Sequence, residues 1–394
     1  MTLASKIPQP RVLEPAPPAS QRLTPILLVL AAALSVRLLL IALAHATGSQ
    51  LADPRFSDAD SFLKVAASII DRSLLAELTF YDTRVFPFWP LCEALLLAIG
   101  LSAYSIQIAT LLLTIALPWM YWRSGGRPTC ALILAICPPA WLLSSILPMS
   151  EALYLLLGVA LVLCVVHGRF GWAGVVAGAM IATRPFGIAW AFPLICAAGW
   201  QSLQSRQWQP LVRASLGCVA GFIPYFATNL WLYGELFRQV RIYSAPLDTL
   251  NLDPTRYQAL GQPKGHWGVP FEHVVMTPWR VTVPLWKTAY VYAHLAALLL
   301  LLPAAVKSLA KGWHDSRSCA RWILIASFVL NSALIVSTGP YWGFHSFDRY
   351  FVWGLPGACA AFETFAASRS WRWSLLLVIP SVALAALAIV QRSG

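Results

Sequence analysis

TPILLVLAAALSVRLLLIALAHA, residues 24–46, decides the fold class: it contains no acidic residue and a single arginine, Arg37. A helix needs roughly 20 apolar residues to cross the hydrocarbon core of a bilayer, and this segment supplies them. Working outward, segments of similar character recur near residues 104–122, 130–147, 152–166, 171–183, 187–200, 214–232, 288–306, 322–338, 350–366 and 374–391. The chain is 58% hydrophobic and only 11% charged, with a mean hydropathy of +0.66. That balance excludes a water-soluble globular fold. The expectation is an all-α, polytopic membrane helical bundle of about ten or eleven transmembrane helices. It occupies residues 24–391 and is preceded by a disordered cytoplasmic tail over residues 1–23, which carries Pro8, Pro10, Pro15, Pro17 and Pro18. Ala44-His45-Ala46 resembles a signal-peptidase site, but the apolar run before it is longer than the apolar core of a signal peptide, so a retained anchor is expected.

Charge placement sets the orientation. With a cytoplasmic N-terminus, the cytoplasmic connections collect Arg123, Arg127, Arg169, Arg206, Arg213, Lys307, Lys311, Arg317, Arg321, Arg369 and Arg372 against one acid, Asp315. This is the asymmetry that the positive-inside rule describes. The formal net charge of +12 is dispersed over loops, which suits anionic headgroups and not nucleic acid. The apolar stretch Phe86 to Gly100 is short for a span and would invert everything after it, so an interfacial or re-entrant helix is expected there. Two long loops, 47–103 and 233–287, then face the extracytoplasmic side with most of the acids. Loops of that length are usually functional. The eight cysteines show no metal-ligand spacing and are expected as buried apolar residues without disulfides.

Within the first loop, Ser57-Asp58-Ala59-Asp60-Ser61-Phe62 places two carboxylates one residue apart in a chain with only 16 acids. Phe62, Val65, Ala66, Ile69 and Ile70 follow at helical spacing, as in an amphipathic helix on the membrane surface. Asp58 and Asp60 either cap this helix or do chemistry at the membrane surface. Arg184 stands between apolar runs at a break marked by Pro185 and Gly187. There it either snorkels to headgroups or grips a phosphate. Arg349 has the same two readings, and His345 beside it is either incidental or a phosphate donor. Ser150-Glu151 either starts a helix or binds acceptor hydroxyls or a divalent cation. Arg84 and Asp82 lie near enough in sequence to reach the same cleft. The aromatic residues of loop 233–287 suit both a sugar site and an interfacial belt. Arg37 has no evident role. P-loop, dinucleotide, zinc and nucleophile-elbow motifs are missing.

Asp58-Ala59-Asp60-Ser61-Phe62-Leu63-Lys64-Val65-Ala66, followed by Phe86-Pro87-Phe88-Trp89-Pro90-Leu91, resembles the paired first-loop motifs of the GT-C superfamily, nearest to GPI mannosyltransferase II-like enzymes. Ser150-Glu151, Thr183-Arg184-Pro185-Phe186-Gly187 and Asp348-Arg349-Tyr350 with Pro356 extend the resemblance in the same order. Ser57 stands where those enzymes carry an aromatic residue, and Asp60 adds an Asp-x-Asp. The resemblance implies a GT-C-like bundle that transfers a hexose, with mannose the first candidate, from a polyprenyl-phosphate donor to a lipid, glycan or protein acceptor on the extracytoplasmic face. Asp58 or Asp60 would act as base, with Arg84, Glu151, Arg184, His345 and Arg349 binding substrate. The cofactor is left unassigned, a divalent cation being one option, and the membrane is either the bacterial inner membrane or that of the endoplasmic reticulum. A transporter or lipid-linked-sugar flippase is the competing expectation and a noncatalytic scaffold a third. No internal repeat of the kind common in transporters is evident.

Overall fold

The structure is a computed structural model that describes residues 19–56, 58–244, 299–310, 313, 315–337, 352–365 and 371–392. Among these residues every regular element is helical. The first half of the bundle contains α1 (Ala19–Ala46), α2 (Asp58–Ile70), α3 (Phe80–Thr83), α4 (Phe88–Ala98), α5 (Ala103–Arg123), α6 (Pro128–Ile136), α7 (Pro139–Ser145), α8 (Ser150–Val166), α9 (Phe170–Thr183), α10 (Ile188–Ser205), α11 (Gln209–Tyr233) and α12 (Arg238–Ser244). Helices Leu299–Ala310, Ser316–Ser337, Leu355–Phe365 and Trp371–Val390 follow. Four described helices (α1, α5, α10 with its leading turn, and α11) are long and apolar enough to cross a membrane, and the pair α6–α7 makes up to five if it counts as one span. Ser150–Val166, Phe170–Thr183, Leu299–Ala310 and Ser374–Val390 are shorter apolar helices, Leu355–Phe365 has 11 residues, and Ser316–Ser337, at 22 residues, is long enough but is not among the four.

The stretch 130–147 departs from the expectation of a single straight span. It is two helices bent by 68°, because neither Pro138 nor Pro139 has an N–H to offer the carbonyl four residues earlier. Those two carbonyls, of Leu134 and Ala135, would be buried without partners. The indole N–H of Trp141 donates to Leu134 O at 3.0 Å, and Arg37 Nη2 donates to Ala135 O at 2.7 Å. Arg37 also donates through Nε to Ser145 Oγ at 2.9 Å and through Nη1 to Ala33 O at 3.1 Å. The charge in the middle of the first span is therefore the staple of a helix break, fully buried and matched to the acceptors that the prolines leave over.

Helices α9 and α11 touch along their backbones. A methyl group on Gly178 would meet the Cys218 carbonyl, and one on Gly221 the Val175 carbonyl, so only glycine permits this approach, the usual device for packing helices in lipid.

α4 is 11 residues long, about 16 Å at 1.5 Å per residue, and so cannot cross the hydrocarbon core. It lies against α2 and also touches α5, α9 and α11, a short helix inside the first loop as its length predicts.

Hydrogen bonds sort the helix ends into two poles. At one pole, Trp89 Nε1 donates to Pro148 O at 3.2 Å, Gln107 Nε2 to Ile146 O at 2.6 Å and Trp231 Nε1 to Ile69 O at 3.2 Å. Those contacts gather the first loop with the ends of α7 and α11 and the starts of α5 and α8. At the other pole, Glu363 accepts from the Tyr121 hydroxyl (3.1 Å), the Arg127 backbone N–H (2.7 Å) and Arg321 Nη1 (3.4 Å). Trp313 packs on both Trp200 and Trp322 there. The first loop, with its acids, thus lies at one pole, and the connections that carry Arg127 and Arg321 meet at the other.

Candidate active site at the acidic pole

Asp58 opens α2, the helix whose apolar face (Phe62, Leu63, Val65, Ala66) is buried. Its carboxylate remains partly exposed, with 29% of the side chain open, and Arg84 Nη2 donates to its Oδ1 at 3.2 Å. Arg84 reaches it because the segment 79–83 is folded into the single turn of α3. Thr79 donates to Asp82 Oδ2 from its backbone N–H (2.8 Å) and its hydroxyl (2.7 Å), while Ser61 on α2 donates to Asp82 Oδ1 at 2.7 Å. Burial pushes the Asp82 carboxyl up, but the bonds from Ser61 and Thr79 and the charge of Lys64 outweigh it. Asp82 therefore lies below the ordinary carboxylate range and stays ionised.

Asp60, expected as an alternative base, is committed elsewhere. Its Oδ2 lies 2.6 Å from Lys64 Nζ, one turn along the exposed face of α2. The hydrogen bond to Asp60, ahead of its charge, raises the Lys64 pKa. The two carboxylates of the Asp-x-Asp thus have separate arginine and lysine partners, and only Asp58 is turned to the Arg84 side.

A second constellation joins two residues the sequence singled out separately. Glu151, at the start of α8, and Ser150 are both fully buried. Arg184, at the break between α9 and α10, donates through Nη2 to Glu151 Oε1 at 2.8 Å and through Nε to Ser150 Oγ at 2.8 Å. Pro185 and Gly187 end α9 and turn the chain, leaving Arg184 extended with its side chain aimed back at the start of α8. Its guanidinium lies 4.7 Å from the ring of Trp353, a residue sequence reading did not flag. Phe186 packs on the same ring with centroids 4.5 Å apart. About 14% of the arginine side chain is exposed, and its Nη1 makes no bond among the described residues.

The segment from Arg84 to Glu93 runs between the two constellations. Phe86 packs with Ala182 and Tyr225, two residues short of Arg184, and Trp89 is bonded to Pro148, two residues short of Ser150. Further along α4, Glu93 is fully buried, and neither carboxylate oxygen has a hydrogen-bond partner among the described residues, which sequence reading also missed. Its burial raises the carboxyl pKa well above the ordinary range and favours the protonated form.

His345 and Arg349 lie outside the described residues, as does loop 233–287 beyond residue 244. Among the described residues no three His, Cys, Asp or Glu side chains come together to hold a metal. No family model matches the chain, and no curated protein matches it.

Proposed function

We propose that this protein is an inverting glycosyltransferase of GT-C-like architecture with ten or eleven spans. It moves a hexose, mannose first in order, from a polyprenyl phosphate to an acceptor on the extracytoplasmic face of a bacterial inner membrane. The observation that carries this reading is Asp58: a part-exposed carboxylate at the first turn of a non-spanning helix, oriented by Arg84. In a single displacement the acceptor hydroxyl attacks the anomeric carbon while its proton passes to Asp58. The sugar carbon–phosphate oxygen bond breaks as the new glycosidic bond forms, and the electron pair leaves with the phosphate. The accumulating charge on that phosphate suits the open edge of Arg184, which Ser150 and Glu151 hold in place. Asp60, bound to Lys64, has no part in the proton transfer.

The test is transfer of radiolabelled sugar from polyprenyl-phosphate mannose and polyprenyl-phosphate glucose by purified protein in detergent. Asp58→Asn is expected to lose about 10²- to 10⁴-fold in rate, the range for a general base, while Asp60→Asn stays within a few fold of the wild type. Undiminished transfer in Asp58→Asn removes the proposed base.

A proton-coupled transporter or flippase is the second reading, and Glu93 favours it: a buried carboxyl with no hydrogen-bond partner among the described residues, in a membrane bundle, is a group that can carry a proton. It gains the ground if the wild type transfers neither sugar and proton-coupled flux in liposomes disappears in Glu93→Gln.

A further inference from the structure

Arg84 follows the one-turn helix α3, and a short turn of that kind does not fix a long side chain by itself. What holds it comes from the other long loop. Gln239, in α12 at the stem of loop 233–287, is 1% exposed. Its Nε2 donates to Val85 O at 3.1 Å and to Thr83 O at 3.5 Å, the carbonyls on either side of Arg84. Two carbonyls can only accept, so the amide nitrogen of Gln239 must face them and its oxygen must face away. That oxygen accepts from Asn229 Nδ2 at 2.8 Å, and the same Asn229 amide donates to Leu236 O at 3.3 Å. Asn229 is fully buried in α11, a helix locked to α9 by the glycine contacts. A continuous chain of buried amides thus runs from the rigid bundle through Gln239 to the backbone of residues 83–85 and ends at the guanidinium that touches Asp58.

We propose that Gln239 is a positioning residue: by holding the carbonyls flanking Arg84 it sets the guanidinium against Asp58, and it couples the stem of the second loop to the carboxylate of the first. This inference rests on the assignment of Asp58 as base for its consequence in activity, but not for the anchoring itself. The two are tested separately.

Hydrogen exchange of the full-length protein in detergent reads the anchor. In Gln239→Leu, amides of residues 82–86 are expected to exchange about tenfold faster, as two neutral hydrogen bonds are lost, while peptides from α8 and α9 keep their wild-type rates. Sugar transfer reads the consequence. Gln239→Leu should lower kcat with little change in the KM for donor, and the double variant with Arg84→Ala should be no slower than Arg84→Ala alone, because both changes act through one contact. Exchange that is unchanged at 82–86, or that rises equally throughout the bundle, overturns the proposal. So do losses in the double variant that multiply. If the wild type transfers no sugar, the proposed function falls and the exchange result alone decides whether Gln239 positions Arg84. Should Gln239→Leu fail to accumulate, Gln239→Glu keeps the volume, removes the two donors, and carries the same expectations.

Discussion

Arg37 and Arg184 are both arginines in apolar surroundings, yet their bonds differ in kind. Arg37 spends all three nitrogens on the protein and is completely enclosed, whereas Arg184 has one nitrogen without a bond among the described residues and part of its surface exposed. The first arrangement is structural and the second is suited to a ligand. Arg37→Leu is expected to leave the buried Ala135 carbonyl without a partner, at about 1–3 kcal/mol, while the Ser145 hydroxyl keeps its bond to Leu142 O, and to lower the Tm of detergent-solubilised protein. Arg184→Lys keeps the charge but loses the planar fork; it is expected to weaken donor binding, read as a higher KM in the transfer assay, with a smaller effect on Tm than Arg37→Leu. Asp82 gives a pH signature. Its folded pKa lies below the ordinary 3.8, so its contribution to stability is complete above that value and is lost as pH falls through the folded pKa. Acid should therefore loosen the first loop, and Asp82→Asn, already weakened at neutral pH, should show a flatter dependence below about pH 4 when tryptophan fluorescence is followed.

At the scale of elements, α1, α2 and α11 were legible because hydrophobic length and helical spacing are local properties. Asp58, Arg84, Glu151 and Arg184 were legible as candidates because a charge beside an apolar run, or at a Pro–Gly break, is conspicuous in so apolar a chain. Their pairing was not. Which basic group meets which acid depends on how α8 lies against α9 and how α4 wedges beside α2, and no spacing in the sequence encodes those approaches. Trp353 and Gln239 were invisible for the same reason: each acts on a residue far away in the chain. The break in 130–147 had its signal, the tandem Pro138-Pro139, but hydropathy averaged over the window hides it. The α9–α11 seam makes a direct prediction. Gly221→Leu places a side chain where the Val175 carbonyl now sits. An overpacking cost of at least about 1–3 kcal/mol is expected, seen as a lower Tm and weaker accumulation. Leu216→Ala, on the exposed face of the same helix, should be close to neutral.

For the whole molecule, the two poles fix what should be reachable from each side of the membrane. Ser73 belongs to the first loop, whereas Ser205 ends α10 near the basic connections. In sealed cells a membrane-impermeant thiol reagent is expected to label Ser73→Cys and not Ser205→Cys, above the background of the native cysteines; the opposite pattern would invert the orientation. The staple at Arg37 also has a consequence for the order in which the chain is made. Its distant partners, Ala135 and Ser145, lie 98 and 108 residues further on. At ~5–20 residues per second the span that carries Arg37 waits on the order of 5–20 seconds in the membrane with only the bond to its own Ala33 carbonyl in place. An unmatched arginine at the centre of a span costs about 2.5–3.5 kcal/mol by insertion measurements. During that interval the nascent helix holds its place against a force tending to eject or tilt it, and the arrival of the bent α6–α7 pair ends that exposure. The span that carries Arg37 is thus synthesised well before the bent pair that secures it.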